Sequence, residues 1–278
     1  MSAIDQVFAR CAAERRAAFI PFLMAGDPDL AATADLLDAL AAGGADLIEL
    51  GVPFSDPIAD GPVNQRAATR ALAAGTKLSG ILELVARHRD RLGIPIVLFT
   101  YYNPIHARGA ARFAEQAAAS GVDGVLCVDL PPEEGERELV PALRERGLDT
   151  IFLLAPTSTR ARVGLVAAVS SGFVYYVSRT GVTGERSALP PELVRELKRL
   201  RRRLALPLAV GFGISSPDQV AALGDVADGV VVGSALVHLV EEWGADPRLP
   251  ALLENRVREL ASALHHGHPS GARRAAAD

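Results

Sequence analysis

Eight short apolar runs, each followed by turn residues and a helical stretch, constrain the fold of this chain more than any other feature. The runs begin at Ala18, Asp46, Ile94, Asp123, Asp149, Phe173, Leu206 and Asp228. Between them, apolar residues recur at intervals of three and four and the stretch closes on glycine, as in DLAATADLLDALAAGG from Asp29. Strands that alternate with helices pair in parallel through right-handed crossovers. The pattern therefore predicts an α/β fold.

The alternation continues along the chain without a linker. At 278 residues the chain could form one large barrel or two ordinary domains. Strands that are apolar along their whole length are buried on both faces, which favours a (β/α)₈ TIM barrel over an open sheet. We predict one barrel domain over residues 1–266 with an N-terminal helix, extra helices near 65–74 and 79–91 after the second strand, and a disordered tail over 267–278.

Composition excludes several kinds of partner and compartment. The net charge is −4 and both signs are scattered, so no basic surface for nucleic acid or an anionic membrane is expected. Cys11 and Cys127 lack the spacing of a metal site or a disulfide scaffold. The N-terminus has no apolar signal region, and no apolar run approaches ~18 residues. These observations favour a cytoplasmic protein.

The segment IELGVPFSDPIADGPVNQ, which begins at Ile48, carries two candidate catalytic carboxylates, Glu49 and Asp60. Active-site residues of TIM barrels lie at the carboxyl ends of the strands. Glu49 is flanked by Ile48 and Leu50, and apolar surroundings would raise its pKa toward the range useful for acid–base catalysis. The alternative for Glu49 is an ion-paired glutamate at a strand end. The alternative for Asp56 and Asp60 is that their side chains stabilise a turn or cap a helix.

Glycines after the seventh and eighth runs indicate a phosphate site. Gly211 and Gly213 precede one predicted helix, and Gly233 and Ser234 begin the next. Backbone N–H groups at helix N-termini attract a phosphate dianion, and barrels often bind phosphate at these two loops. Ordinary helix-start geometry is the alternative reading.

Two further features surround the predicted barrel mouth. SRTGVTGE, which contains Thr183 and Gly184, has the composition of a mobile lid, although a plain glycine-rich turn would look the same. Large apolar side chains near the strand ends predict either barrel core or a pocket for a flat apolar group. They are Phe22, Tyr101, Leu126, Leu153, Tyr175 and Phe212.

Several kinds of catalysis are not indicated, because the sequence lacks the residues or motifs that they require. The only lysines, Lys77 and Lys198, fall in helical or helix-flanking segments, so no strand-end lysine is available to form a Schiff base. The six histidines show no metal-ligand spacing at strand ends. No Gly-x-Gly-x-x-Gly follows the first strand, so a dinucleotide site is not indicated. What remains is cofactor-free acid–base catalysis on a phosphorylated, partly aromatic molecule.

Four segments, FIPFLMAGDP, IELGVPFSDPIADGP, SRTGVTG and GFGIS…GSA, occur in this order at predicted strand ends. Over about residues 1–265 the chain thereby resembles the tryptophan synthase alpha subunit. The resemblance implies a lyase that cleaves indole-3-glycerol phosphate into indole and glyceraldehyde 3-phosphate. It also implies that Glu49 is the catalytic acid and base, and that Asp60 binds the indole N–H and stabilises the cationic ring.

The same resemblance assigns the remaining residues. It implies that SRTGVTG closes over the site and that this chain holds no metal or cofactor. The residues implied to line the indole pocket are Phe22, Tyr101, Leu126, Leu153, Tyr175 and Phe212. The implied phosphate-binding residues are Gly184, Gly213, Gly233 and Ser234. It further implies an alpha-beta-beta-alpha complex with a pyridoxal-phosphate-dependent beta subunit that receives indole through a tunnel. The implied contacts with that subunit are Pro53, Asp56, Asn103 and Pro131.

Three residues depart from the pattern of the family. Asn64 stands where an aliphatic residue is usual near the ring pocket, and His106 and Arg108 lie in the surface expected to meet the partner. Two other functions stay open at this point. One is a free-standing lyase that releases indole for secondary metabolism, and the other is a catalytically idle phosphate-binding regulator of a partner enzyme.

Overall fold

The computed structural model describes residues 1–178, 189–211 and 213–265. Several predicted features lie outside the described residues: the lid beyond Ser178, with Thr183 and Gly184, then Phe212, and the tail over 267–278. The strands are β1 (Ala18–Met24), β2 (Ile48–Gly51), β3 (Ile96–Thr100), β4 (Gly124–Cys127), β5 (Asp149–Ile151), β6 (Leu153–Leu154), β7 (Val174–Val177), β8 (Leu208–Gly211) and β9 (Gly229–Val232).

Helices follow the strands throughout the described residues. They are α1 (Ala3–Ala13), α2 (Leu30–Ala42), α3 (Pro62–Ala73), α4 (Leu78–Leu92), α5 (Tyr102–His106), α6 (Ala110–Ala119), α7 (Pro132–Gly135), α8 (Leu139–Glu145), α9 (Arg160–Val169), α10 (Pro191–Arg201), α11 (Pro217–Gly224), α12 (Ser234–Trp243) and α13 (Leu249–Ser262). The extra helices predicted after the second strand are α3 and α4. Helix α3 begins three residues earlier than predicted, because Pro62 suits the first helical position.

The strands form one parallel barrel. Their order is β5-β4-β3-β2-β1-β9-β8-β7-β6, and each paired neighbour is parallel. Only Phe152 separates β5 from β6, so these two are parts of a single barrel strand and the two ends of the order meet there. The predicted eight-stranded barrel is confirmed.

Helix α1 closes the amino-terminal end of the barrel. Ser2 caps it with a reciprocal pair of hydrogen bonds to Asp5, which satisfies N–H groups of the first turn. Its buried residues Ile4, Val7 and Phe8 belong to the apolar cluster inside the barrel. The opposite end, where the strands finish, is left for the site.

Aspartates that precede three strands fix the register at the amino-terminal end. Each carboxylate accepts a hydrogen bond from the first N–H groups of the neighbouring strand and pairs with an arginine. The sets are Asp46 with Phe19 and Arg16, Asp123 with Ile96 and Arg89, and Asp228 with Leu208 and Arg201. A one-residue slip would break both contacts, so these aspartates oppose it.

Within the described residues, the helices are all too short or too polar to cross a membrane.

Candidate active site

Strand β2 carries Glu49 into the interior of the barrel. Side chains two residues apart share a face of a strand, and Leu47 belongs to the apolar cluster inside the barrel. In the sheet register, Glu49 lies between Phe22 of β1 and Val97 of β3. The glutamate is therefore part of the barrel lining.

Glu49 is a buried carboxyl group without a hydrogen-bond partner. Its residue is 1% exposed, and within the described ranges neither Oε1 nor Oε2 meets a donor. Burial raises its pKa to about 8, because the charged form loses its hydration. An ion-paired glutamate at a strand end, the alternative reading, does not fit this environment. The group is a protonated acid at neutral pH.

Tyr175 of β7 faces Glu49 across the barrel. Burial, and then the charge of Glu49, raise the pKa of Tyr175 well above its ordinary value. The Tyr175 hydroxyl lies where a Cβ on Gly211 would stand, so residue 211 has room for no side chain while Tyr175 keeps this position. Gly211 thus leaves the space that the Tyr175 phenol occupies inside the barrel.

Asp60 lies in the loop between β2 and α3 and is held by Tyr101. The Tyr101 hydroxyl donates to Asp60 Oδ2 at 2.8 Å and accepts from the Ala59 N–H at 3.0 Å. The Tyr101 ring packs against Phe54 with a centroid separation of 5.0 Å. The sequence predicted Tyr101 only as a pocket or core residue, and its role in holding Asp60 was missed.

The two carboxyl groups have different environments. Burial raises the pKa of Asp60, but hydrogen bonds from Tyr101 and Asn64 lower it and offset part of that effect. Glu49 has no such donors among the described residues. Different environments allow two carboxyl groups to act in different protonation states, one as acid and one as anion.

Apolar residues predicted for the pocket lie inside the barrel. Leu126 and Tyr175 are buried, Leu153 is partly buried, and all three belong to the interior cluster. Phe22 packs edge-on against Phe99 with a centroid separation of 5.3 Å. These side chains pack inside the barrel, as the core reading predicted, and their role in an indole pocket stays a prediction.

Phe22 is closely packed by two glycines. A Cβ on Gly51 would lie 2.7 Å from the Phe22 ring, and one on Gly233 would lie 3.4 Å from it. A side chain at position 51 would therefore displace the Phe22 ring, whereas a Cβ at position 233 would make an ordinary contact with it.

Of the two helices predicted to bind phosphate, α12 has the N-terminus with fewer N–H groups already bonded to side chains. Gly233 is the N-cap residue of α12, forms no side-chain cap, and is followed by the exposed Ser234. Helix α11, in contrast, is capped by Ser216 and Gln219, whose side chains already occupy N–H groups at its start. Gly213 has a φ of +70°, which favours glycine, and its loop lies beside Gly233 because β8 and β9 are neighbours.

An ion-pair network ties α3 to α12. Arg70 donates to both oxygens of Asp27, at 2.8 and 2.7 Å, and to Glu241 at 2.9 Å. Arg66 donates to Glu241 as well. Asp27 is only 3% exposed, so loss of Arg70 would leave a buried carboxylate without its charged partner. Helix α3 follows Asp60 and α12 begins at Ser234, next to Gly233, so this network joins the helices that follow two predicted site residues. Sequence reasoning missed the network.

Among the described residues, no three histidine, cysteine, aspartate or glutamate side chains gather as metal ligands would.

The family model for the tryptophan synthase alpha chain matches residues 8–265. The chain belongs to the tryptophan synthase alpha chain family. The alpha chain of Geotalea uraniireducens is 51% identical over 267 residues, which cover 96% of this chain and 98% of that protein. The alpha chain of Geobacter sulfurreducens is 52% identical over 264 residues, covering 95% and 98%.

Solved structures of this family share the fold. The alpha subunit of Legionella pneumophila superposes with a TM-score of 0.88 at 36% identity, over 95% of this chain and 98% of that one. The tryptophan synthase complex of Pyrococcus furiosus gives a TM-score of 0.81 at 41% identity, over 89% and 99%. The family reached from the four sequence segments is confirmed.

Proposed function

We propose that this chain cleaves indole-3-glycerol phosphate to indole and glyceraldehyde 3-phosphate, with Glu49 as both acid and base, and passes indole to a beta subunit. Family membership supports the reaction. The single observation that carries the assignment of Glu49 is its burial without a partner inside the barrel, with a pKa of about 8. Such a group holds a proton at neutral pH and can release it to carbon.

One carboxyl group suffices for the proton transfers. Glu49 donates its proton to the ring carbon that bears the glycerol chain, which leaves the ring as an indolenine cation. The resulting carboxylate removes the proton from the adjacent side-chain hydroxyl. The O–H electrons form the aldehyde C=O, the carbon–carbon bond breaks, and its electrons restore the neutral indole ring. Glu49 finishes protonated, as it began.

Asp60 and α12 hold the two ends of the substrate. Asp60 accepts a hydrogen bond from the ring N–H and stabilises the positive charge that develops on the ring, which a preorganised carboxylate does well. The uncapped N-terminus of α12, with Gly213 beside it, receives the phosphate. Gly184 and the lid containing Thr183 belong to the same proposal and lie outside the described residues.

Exposed residues near the carboxyl end of the barrel support a beta-subunit interface. Ile58, in the loop with Asp56, is 86% exposed, which is unusual for an isoleucine. A cavity of about 380 Å³ opens nearby; it is lined by Tyr102, Asn103, His106, Asp129, Leu130 and Glu134. Asp56 and Asn103 are exposed and Pro131 is partly so, whereas Pro53 is buried and shapes the loop from within.

Family membership also places the cofactor. The alpha chain needs none, and pyridoxal phosphate belongs to the beta subunit. We further propose a cytoplasmic location, which the biosynthetic role of the family supports.

An assay with and without a beta subunit tests the function. Indole release should occur with this chain alone and rise roughly tenfold or more when a pyridoxal-phosphate-loaded beta subunit is added, as expected for coupled subunits. Fast release that the partner does not change would indicate the free-standing lyase instead. No release in either case would contradict the proposed reaction.

Replacing Asp60 tests the second carboxyl group. Asp60→Asn should lower kcat/KM by about 10²–10³, because the cationic ring loses its counter-charge. The free energy of unfolding should change by no more than about 1 kcal/mol, since Asp60 is only half-buried. Asp90→Asn, an exposed change on α4, is the matched control and should keep full turnover. Near-normal kcat/KM in Asp60→Asn would remove Asp60 from the mechanism.

A further inference from the structure

Asn64 lies in the first turn of α3 on the face that looks into the barrel mouth. Ala67, Ala68 and Ala71 are buried on this helix and pack in the cluster with Phe22 and Met24. Residues three, four and seven positions apart share one face of a helix. The Asn64 side chain therefore lies one turn nearer the Asp60 loop on the same inward face.

The two ends of the Asn64 amide have different surroundings. The Asn64 side chain acts to lower the pKa of Asp60, as a neighbouring donor does, and only the NH₂ end of an amide can donate to a carboxylate. The carbonyl oxygen Oδ1 is turned away from Asp60, is buried, and has no hydrogen-bond partner in the ranges that the structure describes. Within those ranges, Glu49 and Asn64 are thus the unpartnered buried acceptors beside the predicted ring pocket.

A buried acceptor without a donor discriminates between ligands. A ligand that covers it and brings no donor leaves the acceptor desolvated and unpaired, whereas a ligand that donates to it gains a buried hydrogen bond. The indole ring has one N–H, which Asp60 accepts in the proposed function. Asn64 Oδ1 can therefore accept a hydrogen bond from a second donor on the ring.

We propose that Asn64 determines ring specificity, and that the site also takes indole-3-glycerol phosphates whose benzene ring carries a hydroxyl or amino group, with Asn64 Oδ1 as acceptor. The inference rests on the proposed function. A hydroxyl group and a methyl group have nearly the same size, and only the hydroxyl can donate. Matched hydroxyl and methyl substrates therefore isolate the hydrogen bond.

The test compares hydroxyl- and methyl-substituted indole-3-glycerol phosphates at each open position of the benzene ring, for the unaltered enzyme and for Asn64→Leu. At one position or more, the hydroxyl-to-methyl ratio of kcat/KM should be roughly tenfold higher with Asn64 than with leucine. Thr69→Val, an exposed polar-to-apolar change on the same helix, should keep the ratio of the unaltered enzyme. Ratios that agree within about twofold at every position would overturn the proposal.

The substrate ratio and the unsubstituted substrate separate this inference from a structural role of Asn64 and from failure of the proposed function. Weaker positioning of Asp60 in Asn64→Leu would slow all substrates alike and leave the ratio unchanged, so a purely structural role does not mimic the result. The unsubstituted substrate is measured alongside: if the unaltered enzyme fails to cleave it, the proposed function fails, and if it is cleaved with unchanged ratios, only this inference fails. Should Asn64→Leu not fold, Asn64→Ala removes the same acceptor and is judged by the same ratio.

Discussion

Glu49→Gln is expected to lower kcat by about 10³-fold or more, because an amide can neither donate an acidic proton to carbon nor remove one from a hydroxyl group. Glutamine has nearly the volume of glutamic acid, so substrate should still bind. Single-turnover release of indole and calorimetric binding of indole-3-glycerol phosphate measure the two properties separately. Turnover retained within about tenfold would contradict the role of Glu49.

The same substitution should stabilise the fold at neutral pH. The pKa of Glu49 is raised from 4.5 to about 8 on folding. Below pH 4.5 the group is protonated in both states and has no effect; above it, only the unfolded chain releases the proton, so stability falls with rising pH up to about 8. At pH 7, Glu49→Gln should raise the free energy of unfolding by about 3 kcal/mol.

Urea unfolding at several pH values measures this effect. The gain from Glu49→Gln should vanish near pH 4 and grow by about 1.4 kcal/mol per pH unit above the ordinary carboxyl pKa. Glu83→Gln, an exposed change on α4, should have no comparable pH dependence. Identical stability of the Glu49→Gln variant and the unaltered protein at all pH values would show that Glu49 is not desolvated.

Asp46→Ala is expected to be among the most destabilising changes in the amino-terminal half of the barrel. Asp46 is 5% exposed at its side chain, and it accepts two hydrogen bonds from Arg16, one from Arg10 and one from the Phe19 N–H. Removal of the carboxylate leaves the buried end of Arg16 with Glu14 and the Ala17 carbonyl as its remaining partners, and removes the acceptor of the Phe19 N–H. The free energy of unfolding should fall by about 3–5 kcal/mol.

The control for Asp46→Ala is Asp38→Ala. Asp38 on α2 is half-buried and pairs with the exposed Arg91, so the loss should stay below about 1 kcal/mol. Burial acts to raise the pKa of Asp46, but Arg16 and the Phe19 N–H lower it on balance. Its stabilisation is therefore present above the ordinary pKa of aspartate and lost as pH falls. Equal stability of the Asp46→Ala and Asp38→Ala variants would contradict this account.

The fold and the apolar environment of Glu49 could be predicted because both depend on local sequence. Alternating apolar strands and helices fix a parallel barrel, and the position of Glu49 within an apolar run places it at the strand end. Asp46 and the other aspartates before strands were also visible, since their runs begin with Asp, but their pairing with arginine and a neighbouring strand was not predicted.

Contacts between residues that lie far apart in the sequence could not be predicted. Tyr101 holds Asp60 from 41 residues away, and Arg70 reaches Asp27 across 43 residues and Glu241 across 171. These partners meet only after the barrel closes, so no local pattern marks them. The departure of Asn64 from the family pattern was visible, whereas its effect on the pKa of Asp60 and its unpaired oxygen required the structure.

The central claim is that Glu49 is a desolvated acid that keeps its proton at neutral pH. Infrared difference spectra between the unaltered enzyme and Glu49→Gln isolate the C=O band of the protonated carboxyl group, and its intensity can be followed as pH rises. Half of the band should be lost near pH 8. A band already lost near the ordinary value of 4.5 would contradict the claim.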